Sequence, residues 1–198
     1  MRRPEQNHPL PSEEEFRKTI EVLRAGGVIL YPTDTIWGLG CDARNEEAVE
    51  KIYRIKQRSE AKSLIILLHD EGLLNKHVNE VPSVAWDLIE FSERPITIIY
   101  DKVGGLAQNV TAPDGSCGIR ICKDPFCNRL LHKFGRPLVS TSANISGLPA
   151  PRNFREISSE IRNAVDYIVG WRMDDMEPSE PSTIIRLKNN GEVTIIRK

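Results

Sequence analysis

The chain has 198 residues, of which 39% are apolar and 28% charged, with 27 basic against 28 acidic side chains. That is enough for one domain with a full core or for two small ones, and the composition is that of a soluble globular protein. A net charge of −1 excludes a surface that holds nucleic acid by bulk charge, so any polyanion site must be a local patch; no apolar run approaches the ~20 residues needed to span a bilayer.

Residues 1–11 are polar and contain prolines, with no apolar stretch of the kind a secretion signal needs, and read as a flexible N-terminal segment. Ser12-Glu13-Glu14-Glu15 has the pattern of a capping box; Phe16, Ile20 and Leu23 follow at helical spacing, and Gly26-Gly27 ends the helix. Residues 28–31 predict a short buried strand stopped by Pro32. Residues 33–43 have no clean period and carry two glycines, which predicts a loop. A helix is expected from about 46 to 57 with Val49, Ile52 and Tyr53 inward, then a strand at 64–68, a helix at 81–91 and a strand at 96–100. Residues 101–116 form a long Gly- and Pro-containing loop, a length usually associated with function.

The alternation continues with a strand at 117–122, a helix marked by Phe126, Leu130, Leu131 and Phe134 and ended by Gly135, and a strand at 137–140. Asn153 is placed to cap a helix bearing Ile157, Ile161 and Val165. Residues 171–181 are acidic and proline-containing, hence a loop. Residues 183–187 and 193–196 predict a hairpin around Asn189-Asn190-Gly191. Alternating strands and helices closed by a hairpin predict one α/β domain over 12–198, with a mixed parallel/antiparallel sheet flanked by helices. Cys41, Cys117, Cys122 and Cys127 show no CxxC spacing, and the four histidines no metal pattern, so the thiols are expected free and reduced, in a cytoplasmic protein.

Two stretches carry chemistry. Lys51, Arg54, Lys56, Arg58 and Lys62 place five positive charges in twelve residues, opposed by Glu60 alone. The plain alternative is a solvated helix face, but the charges run past the expected helix end and lie directly before a buried strand. A loop held there is a plausible phosphate clamp, because Arg offers a planar fork of donors and Lys a point charge. The second stretch, Ser140-Thr141-Ser142-Ala143-Asn144-Ile145-Ser146-Gly147, leaves an apolar strand and could be an ordinary turn or, through its hydroxyls and amides, an anion cradle. Thr33-Asp34-Thr35 also follows a strand, with threonines able to contact a small polar substrate. Arg120 sits among apolar strand neighbours and needs a partner, either a protein carboxylate or an anion in a cleft. No covalent nucleophile pairs with these groups, so the chemistry indicated is positioning and charge stabilisation of a polyphosphate.

Pro32-Thr33-Asp34-Thr35-Ile36-Trp37-Gly38-Leu39-Gly40-Cys41, Lys56-Gln57-Arg58 and Pro137-Leu138-Val139-Ser140-Thr141-Ser142-Ala143-Asn144-Ile145-Ser146-Gly147, in this order, resemble the YrdC-like threonylcarbamoyl-AMP synthase family over residues 12 to 198. The family's Lys-x-Arg and Ser-x-Asn signature matches Lys56, Arg58, Ser142 and Asn144. The resemblance implies a twisted mixed sheet around a basic concave cleft. It implies the conversion of L-threonine, bicarbonate and ATP, with Mg2+ on the nucleotide, to threonylcarbamoyl-AMP and pyrophosphate. A downstream tRNA threonylcarbamoyl transferase would use the product. By the same resemblance Lys56, Arg58, Ser142 and Asn144 are catalytic, Thr33, Thr35 and Arg120 hold threonine, and Lys62, Ser140, Thr141 and Ser182 hold the nucleotide, with no protein-held metal.

The chain departs from the family in two places. Ser92-Glu93-Arg94-Pro95 stands where many relatives carry Trp-Pro-Gly-Pro, and Cys122 stands where proline is frequent. The alternative readings are an RNA-binding module, against which the net charge and sparse aromatics argue, a weakly active paralogue of the same fold, and a carbamoyl-transfer domain of the hydrogenase-maturation kind, whose zinc motifs are missing here.

Overall fold

The computed structural model describes residues 9–57, 64–176 and 180–198. Arg58 and Lys62 therefore lie outside the described residues, as do residues 1–8 and 177–179. No helix among the described residues is long and apolar enough to cross a membrane.

Helix α1 spans Glu13–Arg24 and begins as its sequence demands: the Ser12 hydroxyl accepts from the Glu15 amide at 3.2 Å. A cap of this kind contributes about 1 kcal/mol. The reciprocal half of the capping box is put to other use. Glu15 Oε1 accepts instead from Tyr167 Oη and the Gly170 amide, both at 2.9 Å, tying the helix to a distant strand. Gly26, at φ +75°, closes the helix in the left-handed conformation, and the Gly27 amide reaches back to Val22 O at 2.9 Å.

Strands β1 (Ile29–Tyr31) and β2 (Gly38–Gly40) form an antiparallel pair. β2 lies inside the stretch read as a loop. Three residues with glycine at both ends offer no side-chain period, and the glycines are there for a packing reason: a Cβ on Gly40 would stand 2.7 Å from the Tyr31 ring and 3.0 Å from Val139 O. Helix α2 is Glu46–Ile55, capped by Asn45. It stops two residues before the predicted end; Lys56 is its C-cap, and Gln57 turns the chain at φ +50°.

Next come β3 (Ile65–Leu68), a 3₁₀ turn at Glu71–Lys76, α3 (Ser83–Phe91), β4 (Ile96–Tyr100), a 3₁₀ turn at Gln108–Val110 inside the long loop, β5 (Cys117–Ile121) and α4 (Pro125–Phe134). Strand β6 is Leu138–Ser142, so Thr141 and Ser142, expected in the loop after a strand ending at 140, continue the sheet. The helix expected after Asn153 is broken in two. Asn153 caps a 3₁₀ turn at Phe154–Glu156, and Ser158 caps a separate α5 at Ser159–Ala164. Then β7 (Tyr167–Ile168), unpredicted at two residues long, precedes the hairpin of β8 (Thr183–Leu187) and β9 (Val193–Arg197).

The described strands order as β7-β1-β2-β6-β3-β5-β4-β8-β9, a mixed sheet in which β7–β1, β3–β5 and β4–β8 are parallel and the other pairs antiparallel. One core, around Leu39, Ile52, Ile66, Ile98, Ile119 and Leu187, fills the face toward α2 and α3. A second core on the opposite face packs α1 and α4 through Phe16, Leu23, Phe126, Leu130 and Leu131 onto Tyr31, Leu67 and Leu138. It takes in β1, β3 and β6 but no residue of β4, β8 or β9, so that sheet face runs on past the two helices.

Candidate active site

The register places Arg120, Ser140 and Ser142 on this second face, whereas Thr141, opposite Leu39, turns to the first core's side. Ile65 stands opposite both Gly118 and Ser140, Leu67 opposite Arg120, and Ile99 opposite Gly118. Because side chains alternate along a strand, Thr97, Gly118, Arg120, Ser140 and Ser142 share a side. Gly118 keeps the surface low: a Cβ there would meet Thr97 Cγ2 at 3.1 Å.

Arg120 is 4% exposed and is held by the loop after β1. Its Nη1 donates to Thr35 Oγ1 at 3.1 Å, and its Nη2 lies 3.2 Å from Asp34 Oδ1 in an ion pair whose carboxylate is 14% exposed. The alternative left open by the sequence is thus decided within the protein: the partner includes a carboxylate. Burial opposes the Arg120 charge, but Asp34 and the surrounding Cys122, Tyr31 and Cys127 outweigh it and raise its pKa. Its Nε has no hydrogen-bond partner among the described residues, which is the condition of a donor that a bound anion or water would satisfy. Thr33 Oγ1 accepts from the Thr35 amide at 3.0 Å, donates to Ile36 O at 2.8 Å and lies 2.9 Å from Thr35 Oγ1, so the loop is shaped by its own hydroxyls.

Lys56 is 2% exposed. Its Nζ donates to Ser142 O at 2.5 Å and Asn144 O at 2.8 Å and sits 3.4 Å from Asn144 Oδ1, while Ser146 N donates to Lys56 O at 2.9 Å. The two distant halves of the signature therefore meet, with the lysine knitting the end of β6 to the end of α2. Asn144 Nδ2 in turn donates to Ile145 O at 3.1 Å and Leu148 O at 2.6 Å. Ser182 is buried against Thr97, with the two hydroxyl oxygens 2.8 Å apart, and its carbonyl accepts from Arg197 Nε and Nη2 at 3.1 and 2.9 Å.

Several neighbours were not singled out from sequence. Arg197 lies on this face, its pKa lowered by burial and then by the Arg120 charge. A small recess beside Thr33 and Thr35 is completed by Pro32, Trp37, Arg152, Asn153, Arg172 and Asp175. Trp37 packs against Phe154 with centroids 4.9 Å apart, which fixes the recess wall. Only the hairpin register brings Arg197 here; in the sequence it reads as a charge at a strand end. Among the described residues no group of three or more His, Cys, Asp or Glu could hold a metal ion.

Residues 21–198 match the family model Sua5/YciO/YrdC, whose description reads "Telomere recombination". Threonylcarbamoyl-AMP synthase of Pseudoalteromonas translucida is 34% identical over 187 residues, covering 93% of this chain and 98% of that protein. The threonylcarbamoyl-AMP synthase of an Enterobacter species is 30% identical over 183 residues, covering 88% and 92%. Among solved structures, the H234A/Y235A form of P. abyssi Sua5 superposes with a TM-score of 0.84 at 25% identity, over 94% of this chain but 57% of that one, so this chain spans little more than half of Sua5. E. coli YciO superposes with a TM-score of 0.80 at 26% identity, over 95% and 90%.

Proposed function

The chain belongs to the Sua5/YciO/YrdC family, and from that premise we propose that it is an L-threonylcarbamoyladenylate synthase, a nucleotidyltransferase acting in tRNA modification. The observation that carries the reading is its near full-length likeness to proteins that bear that name. In this reading L-threonine, bicarbonate and ATP are the substrates. The amine of threonine and bicarbonate give a carbamate with loss of water; a carbamate oxygen attacks the α-phosphorus of ATP, the bond to the β-phosphate oxygen breaks, and pyrophosphate leaves. The substrate supplies the nucleophile, so the protein's task is alignment and charge neutralisation.

The geometry supports a division of labour. The Arg120 guanidinium with Thr33 and Thr35 is suited to the polar end of threonine. Arg58, Lys62, Ser140, Ser142, Asn144 and Ser182 are proposed to meet nucleotide and carbamoyl atoms, joined by Arg197, with Thr141, whose side chain turns to the other face, contributing through its backbone. Lys56 contributes by rigidifying the Ser142–Asn144 segment, with its ammonium already engaged by carbonyls. The concave face is proposed to be basic on account of these groups. The described residues do not fit a protein-held metal, and Mg2+ is proposed only as a companion of the ATP phosphates. Residues 12–198 are proposed to form the synthase domain, the location to be cytoplasmic, and the consumer of the product to be a tRNA threonylcarbamoyl transferase.

The test is mass detection of threonylcarbamoyl-AMP, with pyrophosphate release that requires both threonine and bicarbonate. Pyrophosphate released equally without threonine would remove the reading. Arg58→Ala should lower adenylate formation by roughly tenfold or more, because a charge-assisted hydrogen bond contributes about 1.5–3 kcal/mol and each ~1.4 kcal/mol is tenfold in rate. RNA affinity that falls steeply with salt, without ATP turnover, would mark the RNA-binding alternative instead.

A further inference from the structure

Arg172 is an arginine held where glycine is the easier residue. Its φ is +58°, in the left-handed region that costs an L side chain, and such strain persists only where the surroundings enforce it. The enforcement is visible. The side chain is 12% exposed. Nε and Nη2 donate to Asp175 Oδ2 at 3.3 and 3.0 Å, and Nη1 faces Asp124 Oδ2 at 3.7 Å. Its guanidinium carbon lies 5.3 Å from the centroid of Trp171, whose ring packs on Phe126 of α4 at 4.8 Å and whose Nε1 donates to Pro9 O at 3.1 Å.

The anchors on the far side of Arg172 belong to the site. Asp124 caps α4, with Oδ1 accepting from the Cys127 amide at 2.9 Å, and it feels the negative charge of Asp34. The remaining contact is from Nη1 to Thr33 O at 3.5 Å, long for a hydrogen bond. Two ion-paired groups therefore meet here, Arg120 with Asp34 and Arg172 with Asp124 and Asp175, their carboxylates Asp34 and Asp124 facing each other and the Thr33–Thr35 loop lying between the two guanidiniums. Arg120 holds this loop from the sheet side and Arg172 from the recess side.

We propose that Arg172 is a positioning residue for substrate: it latches the Thr33 carbonyl and Asp124 so that Thr35 and Arg120 keep the geometry that receives the amino-acid substrate. The proposal rests on the synthase reading for the identity of that substrate, but not for the latch itself. It predicts a change in substrate affinity more than in the chemical step, since the residue touches neither the proposed phosphate ligands nor the reacting atoms.

Two readouts on Arg172→Gly test it. Glycine keeps the backbone conformation without strain and removes the latch, together with the ion pairs to Asp124 and Asp175 and the contact with Trp171. Amide hydrogen exchange at Thr33, Asp34, Thr35 and Ile36 should quicken by roughly tenfold or more while exchange in β3 and β5 is unchanged. The KM for threonine should rise about tenfold, with kcat and the KM for ATP within roughly threefold of wild type. Unchanged loop exchange overturns the latch whatever the activity. Faster exchange with an unchanged threonine KM overturns the role toward substrate. Faster exchange in a protein whose wild type makes no threonylcarbamoyl-AMP keeps the latch and removes the synthase reading. Arg172→Lys, which retains the cation without the fork, is the second variant should the glycine form fail to fold, and it should show the same two shifts at smaller size.

Discussion

At the scale of single residues, Lys56 is a signature residue whose ammonium is bonded to the protein. Sequence chemistry assigns its charge to a ligand oxygen, whereas its ammonium donates to the Ser142 and Asn144 carbonyls from a nearly closed position. Lys56→Met should therefore lower stability by about 2 kcal/mol, the scale of hydrogen bonds to a charged group, along with activity. Urea unfolding alongside adenylate formation checks this, and lost activity at unchanged stability would return Lys56 to the ligand. Asp114 carries a pH prediction. Hydrogen bonds from the Ser116 hydroxyl and amide, then from Arg186, hold its pKa down at about 2. A depressed carboxylate stabilises the fold above its unfolded pKa and loses that contribution as pH falls through the folded one. Asp114→Asn should thus melt below wild type at neutral pH, and the gap should close between about pH 4 and about pH 2. The carboxylate is half exposed, so added salt should narrow the gap as well.

At the scale of elements, β2 is the strand on which the site depends, since it joins β1 to β6 and so sets the Thr33–Thr35 loop beside Ser142. Its glycines are spaces for Tyr31 and a backbone oxygen. Gly40→Ala should destabilise the protein by about 2 kcal/mol, the usual scale for overpacking a filled core, as read by denaturant midpoint. The opposite edge behaves differently. Val193, Ile195 and Ile196 of β9 are 42%, 56% and 56% exposed, so Ile196→Thr should shift stability by less than about 0.5 kcal/mol.

At the scale of the whole molecule, the two cores bury every thiol. Cys41, Cys117, Cys122 and Cys127 are all free, and burial pushes the Cys117 thiol up to about 12 and those of Cys41 and Cys127 higher than their ordinary value. A buried thiol that stays protonated is a poor nucleophile. A disulfide reagent at neutral pH should find four thiols in the denatured, unreduced protein and almost none in the folded one on the time of mixing. The rate of slow labelling then reports opening of the fold. Rapid reaction of a thiol in the folded state would show a core looser than the structure describes.

The sequence by itself determined most of the elements and the chemistry. Ser12 caps its helix through a contact three residues away, and the apolar periods of α1, α2 and α4 name the buried side chains, because both depend on local spacing. The residue types of Lys56-Gln57-Arg58 and Ser142-Ala143-Asn144 were enough to indicate an anion-handling site. Elements without a period were illegible: β2 with its two glycines, the two-residue β7, and the break between Asn153 and α5. Contacts across the chain were equally out of reach. That Glu15 would serve Gly170, that Arg120 would be met by Asp34 and Thr35, and that Lys56 would grip carbonyls 86 and 88 residues away follow from strand register and burial. A buried charge takes whichever partner the packed fold brings within about 3 Å, and only the tertiary structure decides which one that is.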